Sequence, residues 1–419
     1  VKGSFTPITT SDAPPTPPLG WSWRLLSDVA RLESGHTPSR RVPEYWDNGR
    51  IPWLSLKDMR GLAGRYITDT VDKTTQAGID NSSARILPAG TVAFCRTASV
   101  GDVVVLGRAM ATSQDFANWV CGPALVPEYL YEALRASESE FDREKQGSTH
   151  KTIYMPVLER FRVLLPPVDE QRRIADILDK ADALRRKRKE VIALTDDLLR
   201  STFLEMFGDP VTNPKGWPSE TIEVICSRGG HLVDGPFGSS LKPEHYVETG
   251  AKVVRNWNIY DDRFDAAEFR YITFEKFDEL RRSDVVEGDV LITTKGTVGD
   301  VCVAPNLSGP AVLSASGTVR LRLPPDGEYI PEFVVAQMTN LHYKDYIHSF
   351  EAGSAQQYLN LSAIRKMRLI RPPADEQRVY SQFRRLLRSS IERMTDSMSE
   401  FENLFSSLTS QAFSVGFAC

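Results

Sequence analysis

The chain is short of the residues that most chemistry needs. Its 419 residues hold five cysteines, Cys95, Cys121, Cys226, Cys302 and Cys419, and six histidines. No two cysteines form a C-x-x-C pair and none has a close histidine, so the spacing of zinc sites is missing and the thiols read as reduced and mostly buried. Also missing are a G-x-x-x-x-G-K-[ST] phosphate loop, an H-E-x-x-H zinc helix and a paired Ser, His and Asp arrangement. His36 and His150 read as polar loop residues rather than catalysts. There is neither a glycine-rich cofactor turn nor an Asn- or Asp-Pro-Pro-aromatic motif. No apolar run approaches the roughly 18 residues of a membrane span, and the N-terminus lacks a signal-peptide core. A net charge of −4 excludes a histone-like polyanion binder, so any nucleic-acid contact must come from local patches. These absences predict a soluble cytoplasmic protein with no nucleophile, motor, metal site or cofactor site of its own.

What the chain does have is repetition. "LPPVDEQRRIADILDK" from Leu165 returns as "RPPADEQRVYSQFRRL" from Arg371, with Asp375 following Asp169 by 206 positions. Gly20-Trp21 answers Gly216-Trp217, "GHTPS" from Gly35 answers "GPFGS" from Gly235, and "IPWLSLKDM" from Ile51 answers "AKVVRNWNI" from Ala251. "LPAGTVAFCRTASVGDVVV" and "GSTHKTIYMPVLERFRVLLPP" have counterparts in "VVEGDVLITTKGTVGDVCV" and "GSAQQYLNLSAIRKMRLIRPP". Order is kept while loops vary, which marks a tandem duplication of a unit of about 200 residues.

Each unit is a globular α+β part followed by a long helix. The β-branched runs around "SVGD" and "TVGD" predict paired strands, and a helix is expected around Tyr129 to Phe141. Diprolines end the last strand of each unit, since proline cannot continue a ladder, and Asp169 or Asp375 then offers an N-cap. From Asp169 to about Met206 there is no Pro or Gly, and Ile174, Ile177, Ala181, Leu184, Arg188, Val191, Thr195, Leu198 and Thr202 step by three and four as a coiled-coil seam does. Leu387, Ile391, Met394, Met398, Phe401, Phe405, Leu408 and Ala412 repeat the spacing. Two helices of this kind, each about 55 Å long, are expected to pack as an antiparallel coiled coil. "DEQR" looks like an ATPase box, but without a phosphate loop it reads as an acidic first turn. "RRKRK" from Arg185 reads as a solvated helix face, with phosphate or partner contact as the competing reading; Arg188 reads as a snorkelling or register-setting residue.

The ordered motifs in two copies, with the central "FLEMFGDPVTNPKGWP" and the closing "LFSSLTSQAF", resemble the specificity subunit of type I restriction-modification systems from about Trp21 onward. The family commonly closes with an "AFSGEL"-like tail, whereas this chain reads "AFSVGFAC" and departs after Ser414. The resemblance implies a non-catalytic subunit whose two target-recognition domains each read half of a bipartite DNA site. It implies two methyltransferase subunits using S-adenosylmethionine and two restriction subunits using ATP as partners, and no cofactor on this chain. Mapped here, residues 1–19 form a disordered leader and 20–168 the first recognition domain. Residues 169–214 form the central helix and linker, 215–373 the second recognition domain and 374–419 the C-terminal helix.

Base edges and phosphates are read by Arg, Lys, Asn, Gln, Ser and Thr on loops. Candidates in the first unit are His36, Thr37, Ser39, Arg40 and Arg41, then Arg96 and Ser99, Ser113 and Gln114, and Ser148, Thr149, His150 and Lys151. In the second they are Ser239, Ser240 and Lys242, then Arg255, Asn256 and Asn258, Lys295 and Thr297, and Ser354, Gln356 and Gln357. The competing reading of each stretch is that Gly, Ser and Thr merely make turns. Two other classes remain: a single-chain restriction-methylation enzyme, which lacks its motifs here, and a coiled-coil adaptor, which would not need two globular parts of this size.

If the helices are a ruler, a one-turn insertion lengthens them by about 5.4 Å, against about 3.4 Å per DNA step. Such an insertion should therefore widen the unread gap of the methylated motif by one or two base pairs. An unchanged gap in methylome sequencing refutes the ruler.

Overall fold

The computed structural model describes residues 6–62, 64–147, 151–315, 317–353 and 357–414. The chain divides into two compact units, Val1–Lys189 with Asp396–Cys419, and Glu190–Thr395. The division falls inside both long helices, Val168–Phe207 and Ala374–Ser414, so each unit holds a stretch of both.

The first unit is built on a five-stranded sheet in the order Ala30–Ser34, Phe116–Cys121, Val92–Cys95, Val103–Leu106, Tyr66–Ile67. Its central strands, VAFC and VVVL, are apolar at every position because both faces of the sheet are covered. Val92, Phe94, Val103 and Val105 join a core with Tyr129, Leu130 and Phe161, while Ala93, Cys95, Val104 and Leu106 face a second core with Leu54 and Met110. The second unit repeats this with His231–Asp234, Thr318–Arg322, Val290–Thr293 and Val301–Val303. Val290 and Ile292 face one core, and Leu291 and Cys302 the other. The duplication extends to pairing: Trp53 and Leu54 run parallel to Ala111 and Thr112, and Val253 and Val254 run parallel to Val312 and Leu313. The described cysteines are unpaired. Burial pushes the Cys95 thiol up to about 11 and the Cys121 thiol up to about 12, which makes both poor nucleophiles.

The expected strand-to-helix joint is present twice. Strands Arg162–Leu165 and Arg368–Ile370 end at the diprolines, and the helices begin at once. Asp169 and Asp375 are not the caps, however. The helices start at Val168 and Ala374, and the amides of Gln171 and Gln377 already bond the carbonyls of Pro167 and Pro373. The acids therefore sit in the first turn, beside the positive end of the helix dipole.

Within the first unit the long helices run antiparallel: Arg188 reaches Ser397 Oγ at 3.1 Å, while Arg185 lies over the Phe405 ring. Within the second, Tyr380 bonds the Leu199 carbonyl and Arg388 reaches Asp196 at 2.7 Å. The C-terminal seam is as expected, with Ile391, Met398 and Ala412 buried. The central seam holds at Ile174, which is buried, and at Arg188, which lies over the Phe401 ring, but elsewhere it is shifted by one position. Leu184, Val191 and Leu198 are 43%, 42% and 48% exposed, whereas Leu178, Leu199 and Phe203 are buried. An apolar template misses the true seam because that seam contains Asp182, which is buried and neutralised by Arg185 at 3.1 Å and Arg186 at 2.8 Å. The "RRKRK" run is thus largely committed within its own unit, and Lys189 faces Glu402 at 3.7 Å.

Two further expectations change. The leader is not wholly disordered: Ile8 and Thr9 pair with Val163 and Arg162, and Ile8 is fully buried. Ser137 Oγ accepts the Ile8 amide, and the buried Glu140 carboxylate accepts from Thr9 and Thr10, so a Pro-rich segment gains enough fixed partners to order. The expected single helix is two, Pro127–Arg135 and Glu138–Glu144, because Ser137 turns its hydroxyl back onto Ala133 and leaves the helix path.

The tie between domain and helix is a buried glutamine. Gln171 accepts the Val126 amide at 2.8 Å and donates to the carbonyls of Ala124 and Pro166 at 3.0 and 2.9 Å. Gln377 does the same with Ile330 at 3.0 Å and with Glu328 and Pro372 at 2.8 and 2.7 Å. Both are fully buried. Replacement of either by leucine strands three backbone groups, each worth about 1–3 kcal/mol when left unpaired. Gln377→Leu should lower stability by about 2–4 kcal/mol in urea denaturation, after allowance for partial relaxation; a loss below about 0.5 kcal/mol, the range of an ordinary surface change, contradicts this role.

Candidate nucleic-acid interface

Antiparallel order decides which loops meet. In the first unit Ala30–Ser34 and Val92–Cys95 both flank Phe116–Cys121, so the loops after the first two strands and before the third leave from one end of the sheet. The His36 amide bonds the Thr112 carbonyl, and Thr37 Oγ1 donates to Gln114 Oε1. Arg96 Nε donates to the Gln114 carbonyl at 3.0 Å, and the Ala98 amide bonds the Lys151 carbonyl. Thr37, Arg96, Gln114 and Lys151 are thereby brought into one cluster. Gly35 makes the approach possible, since a Cβ there would lie 1.9 Å from the Ser113 carbonyl oxygen.

The second unit builds the same cluster. Gly235 approaches Ser314 so closely that a Cβ would stand 1.7 Å from its carbonyl oxygen. The Thr294 amide bonds Gly317, Asn256 Nδ2 donates to the Lys295 carbonyl at 2.7 Å, and the Leu359 amide bonds Thr294. An open groove results, lined by Gly235, Phe237, Thr294, Lys295, Gly317 and Asn360.

The predicted residues differ in what they can offer. Ser39, Arg41, Ser99, Gln114, Lys151, Ser239, Lys242, Lys295, Thr297 and Gln357 are exposed on these loops, and Ser240 is half-buried among them. Ser113 is buried and donates to Asp115, and Asn258 is buried and holds its own turn, so both shape loops rather than present side chains. Arg40 stacks on Trp46 at 3.6 Å and pairs with Asp72 at 2.6 Å. Burial works against the Asp72 charge, but Arg40 and Lys57 outweigh it and hold the carboxyl below its ordinary range. Ser148, Thr149, His150, Ser354 and Gln356 lie outside the described residues. Sequence reasoning passed over the aromatics of these stretches: Phe237 is 76% exposed and Trp257 47%. An aromatic between loop glycines and polar residues, outside any apolar periodicity, is the signal that could have marked them. Among the described residues no cluster of His, Cys, Asp and Glu could hold a metal, and no helix is long and apolar enough to cross a membrane.

The family model of the type I restriction modification DNA specificity domain matches residues 18–194. The MjaIX type I restriction enzyme specificity subunit of Methanocaldococcus jannaschii is 28% identical over 225 residues, 50% of this chain and 52% of that protein. The EcoR124I/EcoR124II specificity subunit of Escherichia coli is 32% identical over 169 residues, 39% and 41% of the two chains. Residues 18–194 thus match a type I DNA specificity domain, and the chain is similar to type I restriction enzyme specificity subunits. It spans about half the length of these curated relatives. In fold it is similar to the crystal structure of the S subunit of a type I restriction-modification system from M. genitalium, with a TM-score of 0.60 at 15% identity, over 97% of this chain and 99% of that one. The specificity-domain match covers the first loop cluster, and the second cluster repeats its geometry outside the matched residues.

Glycines 235 and 238 share a loop but not a constraint, because Gly238 has nothing within 4 Å of its would-be Cβ. Gly235→Ala should speed hydrogen exchange at the amides of Ser314 and Thr318, while Gly238→Ala leaves them unchanged. Equal exchange in the two variants would show that the close approach is not what holds the cluster.

Proposed function

We propose that this chain is the DNA-recognition subunit of a type I restriction-modification complex, with each unit reading one half of a bipartite site. The observation that carries the reading is the repeated loop cluster. The same end of the same sheet, closed by the same glycine-to-serine backbone approach, occurs in both units, but with different side chains. A pseudo-repeated protein of this kind offers two similar surfaces to identical partners while presenting two different loop sets to DNA. The long helices set the unread gap and dock two methyltransferase subunits, and two restriction subunits complete the assembly. The chain itself is non-catalytic, and S-adenosylmethionine and ATP are used by the partner subunits.

Because the side chains on the two clusters differ, the half-sites should differ and be separable. Exchange of residues 215–373 for the corresponding domain of another specificity subunit, followed by co-expression with the methyltransferase subunit and single-molecule methylation mapping, should alter one half of the motif and leave the other intact. A change in both halves refutes the assignment of one unit to one half-site.

A further inference from the structure

Arginine stacks on tryptophan in both units, but only one of these arginines is spent. In the first unit Arg40 is locked to Asp72. In the second, Arg255 lies 3.3 Å above the Trp257 ring, and among the described residues its guanidinium forms no ion pair and no hydrogen bond. The backbone beneath it is fixed. The buried Asn258 accepts the Arg255 amide at 2.9 Å and donates to the carbonyls of Asp265 and Glu268 at 2.9 Å each. Asn256, next in sequence, bonds Lys295 and fits against Gly317, whose φ of +83° and lack of a Cβ leave room for it. Arg255 therefore stands on the loop cluster itself. Partial burial and the charge of Arg270 both disfavour its cationic form, although Tyr246 works the other way. A half-buried guanidinium without a counter-charge is costly unless a partner from outside supplies acceptors.

Stacking restricts a guanidinium to one plane and leaves its edge donors available. That edge matches two coplanar acceptors, as the O6 and N7 atoms of guanine provide in the major groove. We propose that Arg255, oriented by Trp257, reads a guanine in the half-site of the second unit. This inference rests on the DNA-recognition reading above and adds to it the identity of one base and of the side chain that selects it. A phosphate also offers two acceptors, but a phosphate contact carries no sequence information, so its loss would weaken all sequences alike.

The test uses the assembled complex with its methyltransferase subunit. The wild-type motif is mapped first by methylation sequencing. Arg255→Ala should then accept other bases at one guanine of one half-site, with discrimination falling about 5- to 150-fold, while the other half-site is still read as before. Replacement of that guanine by 7-deazaguanine should weaken wild-type binding and leave Arg255→Ala unaffected. Trp257→Ala should relax the same position, and Trp257→Tyr should restore it. An unchanged motif in Arg255→Ala, or a uniform loss of affinity across all sequences, overturns the guanine assignment and makes Arg255 a phosphate contact or a structural residue. A wild-type complex with no bipartite motif at all would instead overturn the DNA-recognition reading, so the two failures are distinguishable.

Discussion

A glutamine amide cannot be buried without partners, and this chain uses that requirement to hold each globular part on its helix. Gln171 and Gln377 are fully inaccessible, and each meets one amide and two carbonyls. The partners come from two places at once: the entry of a helix in the globular part, and the diproline that ends its last strand. Apolar contact could have buried the same area but is non-directional. Three hydrogen bonds to backbone specify both distance and angle. Asp169 and Asp375, two residues before each glutamine, are exposed and pair with Arg172 and Arg378 three residues along the same helix, so their contribution is to the helix start rather than to the joint.

A second tie reinforces the first, and there the two units part ways. In the first unit the buried cation belongs to the globular part: Arg65 reaches Glu132 at 3.1 Å, and on the central helix Asp179 at 3.3 Å and the Ala175 carbonyl at 3.1 Å. In the second unit the globular part supplies the anion. Asp262, at the turn between Ile259–Tyr260 and Arg263–Phe264, meets Arg384 and Arg388 of the C-terminal helix, and Arg388 also pairs with Asp196. Burial and the neighbouring Arg388 charge both work against Arg384, and Asp262 answers that cost. A buried pair of this kind contributes little net stability but strongly penalises the loss of either member. The duplicated joint therefore keeps one geometry with opposite charge polarity, and the surfaces that meet in one unit would place like charges together in the other.

The pattern of what was legible in the sequence follows from these constraints. Elements held by backbone rules could be read directly. Diprolines stop strands, an uninterrupted run of helix formers makes a long helix, and Gly35 and Gly235 align because each admits the same close backbone approach. The C-terminal seam was legible because it is apolar, whereas the central seam was misplaced by one residue because Asp182 and its arginines occupy it. A charged residue in a seam looks like a surface residue until its partners are known. The same difficulty hid the order at Ile8, which depends on Ser137 and Glu140 more than 120 positions away. Among the loop residues, Arg40 and Arg255 look alike in sequence, and only the presence of Asp72 beside one of them separates a pillar from an available cation.

This separation of duties is what lets one scaffold carry two different loop sets. The closest approaches beneath each cluster are between backbone atoms, at Gly35 and Ser113 and at Gly235, Ser314 and Gly317, and side-chain bonds such as Thr37 to Gln114 and Asn256 to Lys295 are added to them. Backbone contacts survive most changes of the side chains they carry, so the exposed positions between them can vary at little cost to the fold. The buried glutamines and ion pairs, by contrast, tolerate almost no change, and they lie at the joint rather than on the loops. The groups that hold the unit and the exposed loop side chains are thus different atoms of the same unit. Under the proposed function, a copy of that unit could change what it reads without changing how it is held.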